Sequence, residues 1–154
     1  MSRLLVVHQP RSPSVERLRS RVIAGARLVD DVEIESLAAP DAGIEDVEGA
    51  DGLVLLVTAN FGALSGLVKD LFERIYPWFE ELPDRRPGLP YALVAKGTTD
   101  ASGAVRDVER ITTGLRWNEV LAPLVIEGEV TPTDLDAARE LGATLAAGLD
   151  AGLW

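Results

Sequence analysis

The chain contains no cysteine among its 154 residues and only one histidine, His8. Without thiolates it forms no disulfides, no cysteine metal sites and no cysteine nucleophile. One imidazole with no second histidine is a poor basis for a metal centre, and it cannot be assembled with scattered serines into an arguable Ser–His–Asp triad. The composition therefore excludes cysteine chemistry and gives no support to hydrolases or metal-dependent enzymes.

Basic residues are also scarce. Lys and Arg number 15 against 25 Asp and Glu, for a formal charge of −10, and no basic residue occurs between Arg27 and Lys69. An average surface of this sign repels nucleic acid and anionic membranes. We predict neither as a partner, and we interpret the acidic stretch as a solvated face.

Long apolar runs are missing as well. The run behind the first three residues covers only positions 4–7, which is shorter than the apolar core of about 7–15 residues in a signal peptide. No stretch approaches the roughly 20 apolar residues of a membrane span. With a hydrophobic fraction of 47%, the sequence predicts one globular domain over residues 1–154 and a cytoplasmic location.

What the sequence does contain is a regular alternation of strand and helix patterns. Five apolar or alternating runs predict strands, the second of them at a sheet edge: residues 4–7, 31–37, 53–57, 91–96 and 120–126. Residues 40–52 are predicted to form a polar connection with one helical turn, and residues 84–90 a turn-rich stop before the next strand.

Four helices are predicted between these strands from apolar residues spaced by three and four. The first begins near Ser14, the second follows Ser65 as its N-cap, the third ends near residues 114–117, and Thr131 or Thr133 caps the last. Such alternation predicts an α/β protein with a parallel sheet between two helical layers. Five strands in this length match a flavodoxin-like three-layer α/β/α sandwich of strand order 2-1-3-4-5, whose ligand lies where strands 1 and 3 diverge.

The loops after strands 1, 3 and 4 should then carry the function. They read "HQPRSPS" (8–14), "TANFGALSG" (58–66) and "KGTTDASG" (96–103). The segment "ADGLVLLVTANFGALSGLVKDLFERIYPWF", residues 50–79, resembles the flavodoxin-like FMN-dependent oxidoreductases, including the NAD(P)H:quinone reductases. Gly62, Leu64, Ser65, Gly66 and Lys69 stand at the places that match this family. The resemblance continues through residues 96–117 and into the tail "ELGATLAAGL".

The resemblance implies an FMN cofactor whose phosphate is held by the first loop and whose isoalloxazine ring is framed by the other two. It implies no metal ligand and no catalytic side chain, because the flavin performs the chemistry. The implied cofactor-binding residues are Gln9, Arg11, Ser12, Ser14, Val15, Thr58, Ala59, Asn60, Phe61, Gly62, Lys96, Gly97, Thr98, Thr99, Asp100 and Gly103.

Physical arguments accompany these assignments. Gly62 lets backbone approach a planar ring closely, and Gly103 permits a tight turn into the third helix. The residues of the third loop offer further donors and acceptors. Phe61 lies either against the flavin ring or, as an ordinary loop aromatic, against the following helix; both interpretations stay open.

The first loop departs from the Thr/Ser-x-Thr-Gly-Asn-Thr pattern of flavodoxins. It has no glycine, and Pro10 and Pro13 each remove one N–H donor. If Ser12 is the N-cap, the amides of Ser14 and Val15 remain free, and the serine hydroxyls and Arg11 offset the lost donors. The alternative is a proline-rich turn that only caps a helix.

Three functions are compatible with these observations. The first is an oxidoreductase that passes electrons from NAD(P)H through FMN to a quinone, a flavin or another acceptor. NAD(P)H would then be a transient co-substrate, because no G-x-G-x-x-G fingerprint occurs. The absence of aromatics from the third loop favours this over the second, a flavodoxin-type carrier for a redox partner protein. The third is a flavin-free binding or regulatory domain. A homodimer is left open.

Overall fold

Strands and helices alternate along the chain in the computed structural model, which describes residues 1–81 and 87–154. The strands are β1 (Ser2–His8), β2 (Val32–Ala38), β3 (Gly52–Asn60), β4 (Ala63–Leu64), β5 (Pro90–Gly97), β6 (Asn118–Glu119) and β7 (Leu124–Glu127). The helices are α1 (Pro13–Ala26), α2 (Ile44–Gly49), α3 (Gly66–Glu81), α4 (Ser102–Gly114) and α5 (Pro132–Asp150), with a 3₁₀ turn at Ala39–Asp41.

The sheet has the predicted order. β2, β1, β3 and β5 lie side by side and parallel, and the outer position is filled by β6 and β7, which both pair with β5. The predicted five-stranded parallel sheet of order 2-1-3-4-5 is therefore confirmed. None of the helices in the described ranges is long and apolar enough to cross a membrane.

The fifth strand is interrupted, so the prediction of one strand over residues 120–126 is wrong. β6 pairs with the first residues of β5, and β7 pairs with its last four. Pro123 lies in the gap between them, and a proline cannot donate to the ladder.

The third strand is longer than predicted, because it continues beyond the sheet into a hairpin. The prediction of a strand at 53–57 followed by a loop is wrong for Thr58, which still pairs with β5, and for Ala59–Asn60 and Ala63–Leu64, which pair antiparallel. Only Phe61 and Gly62 connect the two strands, with φ of 52° and 77°. Positive φ at both central residues defines a type I′ turn.

Two further connections between elements differ from those predicted from the sequence. Residues 40–52 contain the end of the 3₁₀ turn and all of α2, and α2 buries Val47 as its single core residue. A helix of six residues with one buried position leaves no periodicity to detect. In the predicted turn at 84–90, residues 84–86 lie outside the described residues, while Pro87 and Gly88 form a turn before β5.

All three helices that were assigned a cap begin at the predicted place, and two of the three caps make the expected side-chain hydrogen bond. Ser12 caps α1, and Thr131 rather than Thr133 caps α5, forming a capping box with Asp134. Ser65 directly precedes α3, but its buried hydroxyl has no partner among the described residues. The prediction that Ser65 caps this helix through its side chain is therefore wrong.

Apolar side chains alternate between the two faces of the sheet and produce two cores. Leu5 and Val7 face α2, α3 and α4, while Leu4 and Val6 face α1 and α5. This is the three-layer α/β/α arrangement expected from strands buried on both faces.

Helices α1 and α5 cross at very short range through two glycines. A Cβ on Gly25 would overlap the carbonyl oxygen of Arg139, and a Cβ on Gly142 would overlap that of Val22. The absence of side chains at these two positions allows the helices to approach this closely.

Candidate functional site

The three loops meet at the carboxyl edge of the sheet. In β1 His8 pairs with Leu56 of β3, and in β3 Thr58 pairs with Lys96 of β5. The Gln9 amide donates to the Leu56 carbonyl at 2.9 Å. Because these strands are parallel, the chain leaves each of them at the same edge, which is where ligands bind in open α/β sheets.

The first loop contains one residue in the left-handed backbone conformation, and this residue is not a glycine. Arg11 has φ of 58°, a conformation that favours glycine and costs other residues about 1–2 kcal/mol. The loop thus keeps the backbone turn for which a glycine is usually chosen, and places an exposed guanidinium there instead.

The start of α1 offers fewer free amides than predicted. The Ser12 hydroxyl accepts a hydrogen bond from the Val15 amide at 3.3 Å. The expectation that both the Ser14 and the Val15 amides are free is therefore wrong for Val15, because the N-cap serine satisfies it. The Ser14 amide has no acceptor within residues 1–81 and 87–154.

A cavity of about 360 Å³ opens beside this loop. Its lining residues are His8, Gln9, Arg11, Ser12, Pro13 and Glu16. Two polar atoms here, His8 Nδ1 and Gln9 Oε1, are buried and have no hydrogen-bond partner among the described residues. Because unpaired buried polar atoms are costly, they mark a place where a ligand with both donors and acceptors would be stabilised.

Charged neighbours set the electrostatics of this cavity. Burial, followed by the charge of Arg19, lowers the pKa of His8. The hydrogen bond from Arg19 lowers the pKa of Glu16, so this carboxylate stays ionised. His8 was not predicted as a binding residue; its place at the junction of β1 and the first loop was the only signal in the sequence.

The second loop projects an aromatic ring into solvent. The Phe61 side chain is fully exposed. The alternative that Phe61 packs against the following helix, α3, is therefore wrong. Next to it, the Thr58 hydroxyl donates to Asn60 Oδ1 at 3.0 Å. A fully exposed phenylalanine in a left-handed conformation gains nothing from burial and carries backbone strain, a combination that is typical of functional sites.

The hairpin is fixed against helix α4. A Cβ on Gly103 would overlap the Gly62 carbonyl, and the Leu64 amide donates to Asp107 Oδ2 at 3.0 Å. Gly103 is therefore needed for the close approach of the hairpin and not for a tight turn. Asp107 was not predicted, because its partner lies 43 positions away in the sequence.

The third loop is closed by its own hydrogen bonds. Lys96 Nζ donates to the Gly97 carbonyl at 3.0 Å, and the Ser102 amide donates to Asp100 Oδ1 at 2.8 Å. The hydrogen bonds from Ser102 lower the pKa of Asp100. Thr98 and Thr99 are exposed at the same edge as Phe61. The structure thus brings the predicted residues of all three loops to one edge of the sheet.

Comparisons with known proteins identify the fold. No protein-family model matches the chain, and no curated protein matches it. Solved structures do match. The WrbA-like flavodoxin of Agrobacterium tumefaciens is 15% identical, with a TM-score of 0.78 over 98% of this chain and 99% of that one. Flavodoxin 1 of Bacillus cereus is 18% identical, with a TM-score of 0.77 over 95% and 98%.

A third match is part of a larger protein. The flavodiiron protein of Giardia intestinalis is 16% identical, with a TM-score of 0.80 over 98% of this chain but only 37% of that one. At identities this low, the structural similarity establishes only the fold. The similarity covers nearly the whole chain, and the fold is flavodoxin-like.

Proposed function

We propose that this chain binds FMN and works as an oxidoreductase that passes electrons from NAD(P)H to a quinone, a flavin or another acceptor. The observation that carries the proposal is that an exposed, strained Phe61 and a first-loop cavity with two unsatisfied polar atoms occur at the same edge of the sheet. Both features lie at the sheet edge where flavodoxin-like folds take their ligand.

The donor set of the first loop suits the phosphate and ribityl part of FMN. The Ser14 amide, the hydroxyls of Ser12 and Ser14 and the Arg11 guanidinium would hold the phosphate, with help from the α1 dipole. Gln9 Oε1 needs a hydrogen-bond donor, and His8 Nδ1 needs an acceptor whenever that nitrogen carries the proton of the imidazole ring. Hydroxyl groups of a ribityl chain both donate and accept, so they suit both atoms.

The ring end of the site is built from the other two loops. Phe61 offers an aromatic face at no cost in lost packing, and Gly62 has no atom within 4 Å of the place where its Cβ would be. The bound flavin would supply the hydride and electron transfer for which this chain has no side chain. Because residues 96–103 contain no aromatic, one face of the ring stays open to a nicotinamide, which favours a reductase over an electron carrier.

Titration with FMN tests the binding. We expect flavin fluorescence to be quenched in a saturable manner, and Ser12→Ala combined with Ser14→Ala to weaken FMN binding about tenfold. Loss of the Ser12 cap alone lowers the free energy of unfolding by about 1 kcal/mol. Ser14→Ala, which keeps the cap, should therefore weaken FMN binding at unchanged stability. A colourless protein that leaves FMN fluorescence unchanged would refute the proposal.

Anaerobic mixing of the flavin-loaded protein with NADH and with NADPH tests the direction of electron flow. We expect the visible absorbance of the oxidised flavin to bleach with at least one of them. No bleaching by either, together with reduction by a chemical reductant, would favour the electron carrier instead.

A further inference from the structure

Helix α4 carries two arginines on its outer face, Arg106 and Arg110. They are four positions apart, so they are neighbours along the helix surface. Both residues are exposed, and within residues 1–81 and 87–154 neither forms an ion pair or a side-chain hydrogen bond. Like charges at this spacing repel each other and destabilise a helix. The pair therefore contributes nothing to the fold, and it suits an anion that contacts both side chains.

The two carboxylates of α4 do not neutralise this face. Asp107 Oδ2 accepts a hydrogen bond from the Leu64 amide of the hairpin at 3.0 Å. Glu109 forms a hydrogen bond with Glu119 of β6. Each carboxylate is thus directed toward a neighbouring element, and the positive charge of the two arginines stays available to a ligand in a molecule of net charge −10.

Arg106 lies next to the ring end of the proposed flavin site. Its Nη2 is 3.7 Å from the position that a Cβ on Gly103 would take, and the same position overlaps the Gly62 carbonyl of the hairpin. The guanidinium is therefore beside the contact between the hairpin and α4. Hydrogen bonds from Ser102 lower the pKa of Asp100, and the charge of Arg106 lowers it further. Arg106 is thus close to both loops that frame the flavin ring.

Arg110 lies farther from the ring than Arg106. Helix α4 begins directly after the third loop, at the carboxyl edge of the sheet, and runs away from that edge, so Arg110 is about one turn farther along. A nicotinamide nucleotide has its groups in a matching order. The nicotinamide is followed by the diphosphate and then by the adenosine, whose ribose carries a 2′-phosphate in NADPH and a 2′-hydroxyl in NADH.

A 2′-phosphate is well matched to an arginine without a carboxylate partner. As a monoester it has three free oxygens and about 1.5 to 2 negative charges at pH 7. A guanidinium presents parallel N–H donors to such oxygens and can bind two of them at once. Because no carboxylate is paired with Arg110 in the described chain, its donors need not be released before a phosphate binds.

On the premise of the proposed function, we infer that the electron donor is NADPH and that α4 selects it over NADH. With the nicotinamide on the open face of the flavin, Arg106 binds the diphosphate that both nucleotides carry. Arg110 binds the 2′-phosphate that only NADPH carries. Both arginines act in recognition alone: NADPH gives a hydride to the flavin and leaves as NADP⁺, and neither side chain takes part in that transfer.

Anaerobic reduction of the FMN-loaded protein, followed over a range of NADPH and NADH concentrations at one ionic strength, tests this assignment. We expect the apparent second-order rate constant to be at least about tenfold larger for NADPH. Arg110→Gln should lower the constant for NADPH about tenfold and change that for NADH less than about twofold. Arg106→Gln should lower both constants about threefold to tenfold, because both nucleotides carry the diphosphate.

Two further variants separate recognition from a general charge effect. Arg110→Lys keeps the charge but loses the paired donors, so it should retain part of the preference for NADPH. Arg139→Gln removes an exposed arginine of α5, in the opposite helical layer, and is the matched control. It should leave both rate constants within about twofold of the unmodified protein, and a loss equal to that in Arg110→Gln would overturn the inference.

Calorimetric titration with adenosine 2′,5′-bisphosphate and with AMP gives a measure that does not depend on turnover. We expect the bisphosphate to bind at least about tenfold more tightly, and Arg110→Gln to abolish most of this difference. Equal rate constants for NADPH and NADH, or an unchanged preference in Arg110→Gln, would overturn the inference and leave the proposed function intact. Reduction by neither nucleotide, in a protein that binds FMN, would overturn the proposed reductase activity and this inference together.

Discussion

Arg11 and Phe61 are large residues in a backbone conformation that favours glycine, and both lie at the candidate site. Neither gains burial that would offset this strain, because both side chains are exposed. Strain retained without a packing benefit is explained most simply by a ligand that the side chains contact. For each residue, the conformational cost can be separated from the contribution to binding.

Replacing Arg11 by glycine should relieve strain and remove a charge. Compared with Arg11→Ala, which loses the same guanidinium but keeps a Cβ, we expect Arg11→Gly to be more stable by about 1 kcal/mol in urea unfolding without flavin. Both variants should lose flavin affinity to a similar extent, about threefold to tenfold. A glycine variant that is less stable than the alanine variant would show that the left-handed conformation is not the one present in solution.

Phe61 should be expendable for folding and important for binding. Asparagine tolerates positive φ and is favoured before glycine in type I′ turns, so we expect Phe61→Asn to raise the free energy of unfolding by about 1 kcal/mol. The same change removes an aromatic face and should weaken flavin binding about threefold to tenfold. Phe61→Tyr keeps the ring and serves as the control for both measurements. Unchanged affinity in Phe61→Asn would place the flavin ring away from this hairpin.

At the scale of elements, the position of the first loop depends on the crossing of α1 and α5. Gly25 and Gly142 lie where each helix meets backbone of the other. We expect Gly25→Ala and Gly142→Ala each to lower the free energy of unfolding by about 3 kcal/mol, since the added methyl group forces the helices apart. Gly114→Ala, which has no atom within 4 Å of its added Cβ, is the control and should be neutral or slightly stabilising. Thermal unfolding by circular dichroism measures all three, and a neutral Gly25→Ala would contradict the close crossing.

Glu119, which lies in the short strand β6, should make the free energy of unfolding depend on pH. Partial loss of solvent around its carboxylate, together with the hydrogen bond to Glu109 and the charge of Glu109, raises the pKa of Glu119 to about 7. An unfolded glutamate titrates near 4.3, so the folded chain holds the extra proton and stability falls as pH rises from about 4.5 to 7. Above pH 7 the folded state carries an ionised Glu119 at a cost, although solvent screens much of it because this side chain is largely exposed.

Glu119→Gln should therefore raise the free energy of unfolding by roughly 1 kcal/mol at pH 8, with little effect at pH 4.5. Denaturant midpoints measured across this range give the comparison. Glu129→Gln removes a carboxylate from an exposed loop position and is the charge control. Equal effects of the two variants at every pH would show that the Glu109–Glu119 pair does not hold the extra proton.

At the scale of the whole molecule, the strand order and the sheet edge that carries the candidate site could be predicted from the apolar runs and the composition of the loops. Those signals are local and repeat along the chain, as with residues 4–7 and 53–57. The backbone conformation of the hairpin tip at Phe61 could not be predicted, because phenylalanine has no preference for the left-handed region. Asp107 was missed because its hydrogen-bond partner lies 43 positions away in the sequence, and His8 because a lone histidine at the end of a strand forms no motif. Helix α2 was expected only as one helical turn, because it buries a single core residue.

The charge distribution of the whole chain leads to opposite salt effects on folding and binding. The molecule carries −10 overall, yet Arg11, Arg17, Arg19 and Arg21 lie in the first loop and in the first two thirds of α1. Raising NaCl from about 20 mM to about 300 mM shortens the Debye length from roughly 20 Å to 6 Å. This screens the repulsion among acidic residues, so the melting temperature without ligand should rise. It also screens the attraction of these arginines for an anionic flavin nucleotide, so its Kd should increase about threefold. Tighter flavin binding at high salt would mean that the net negative field, and not the arginines of α1, dominates at the site.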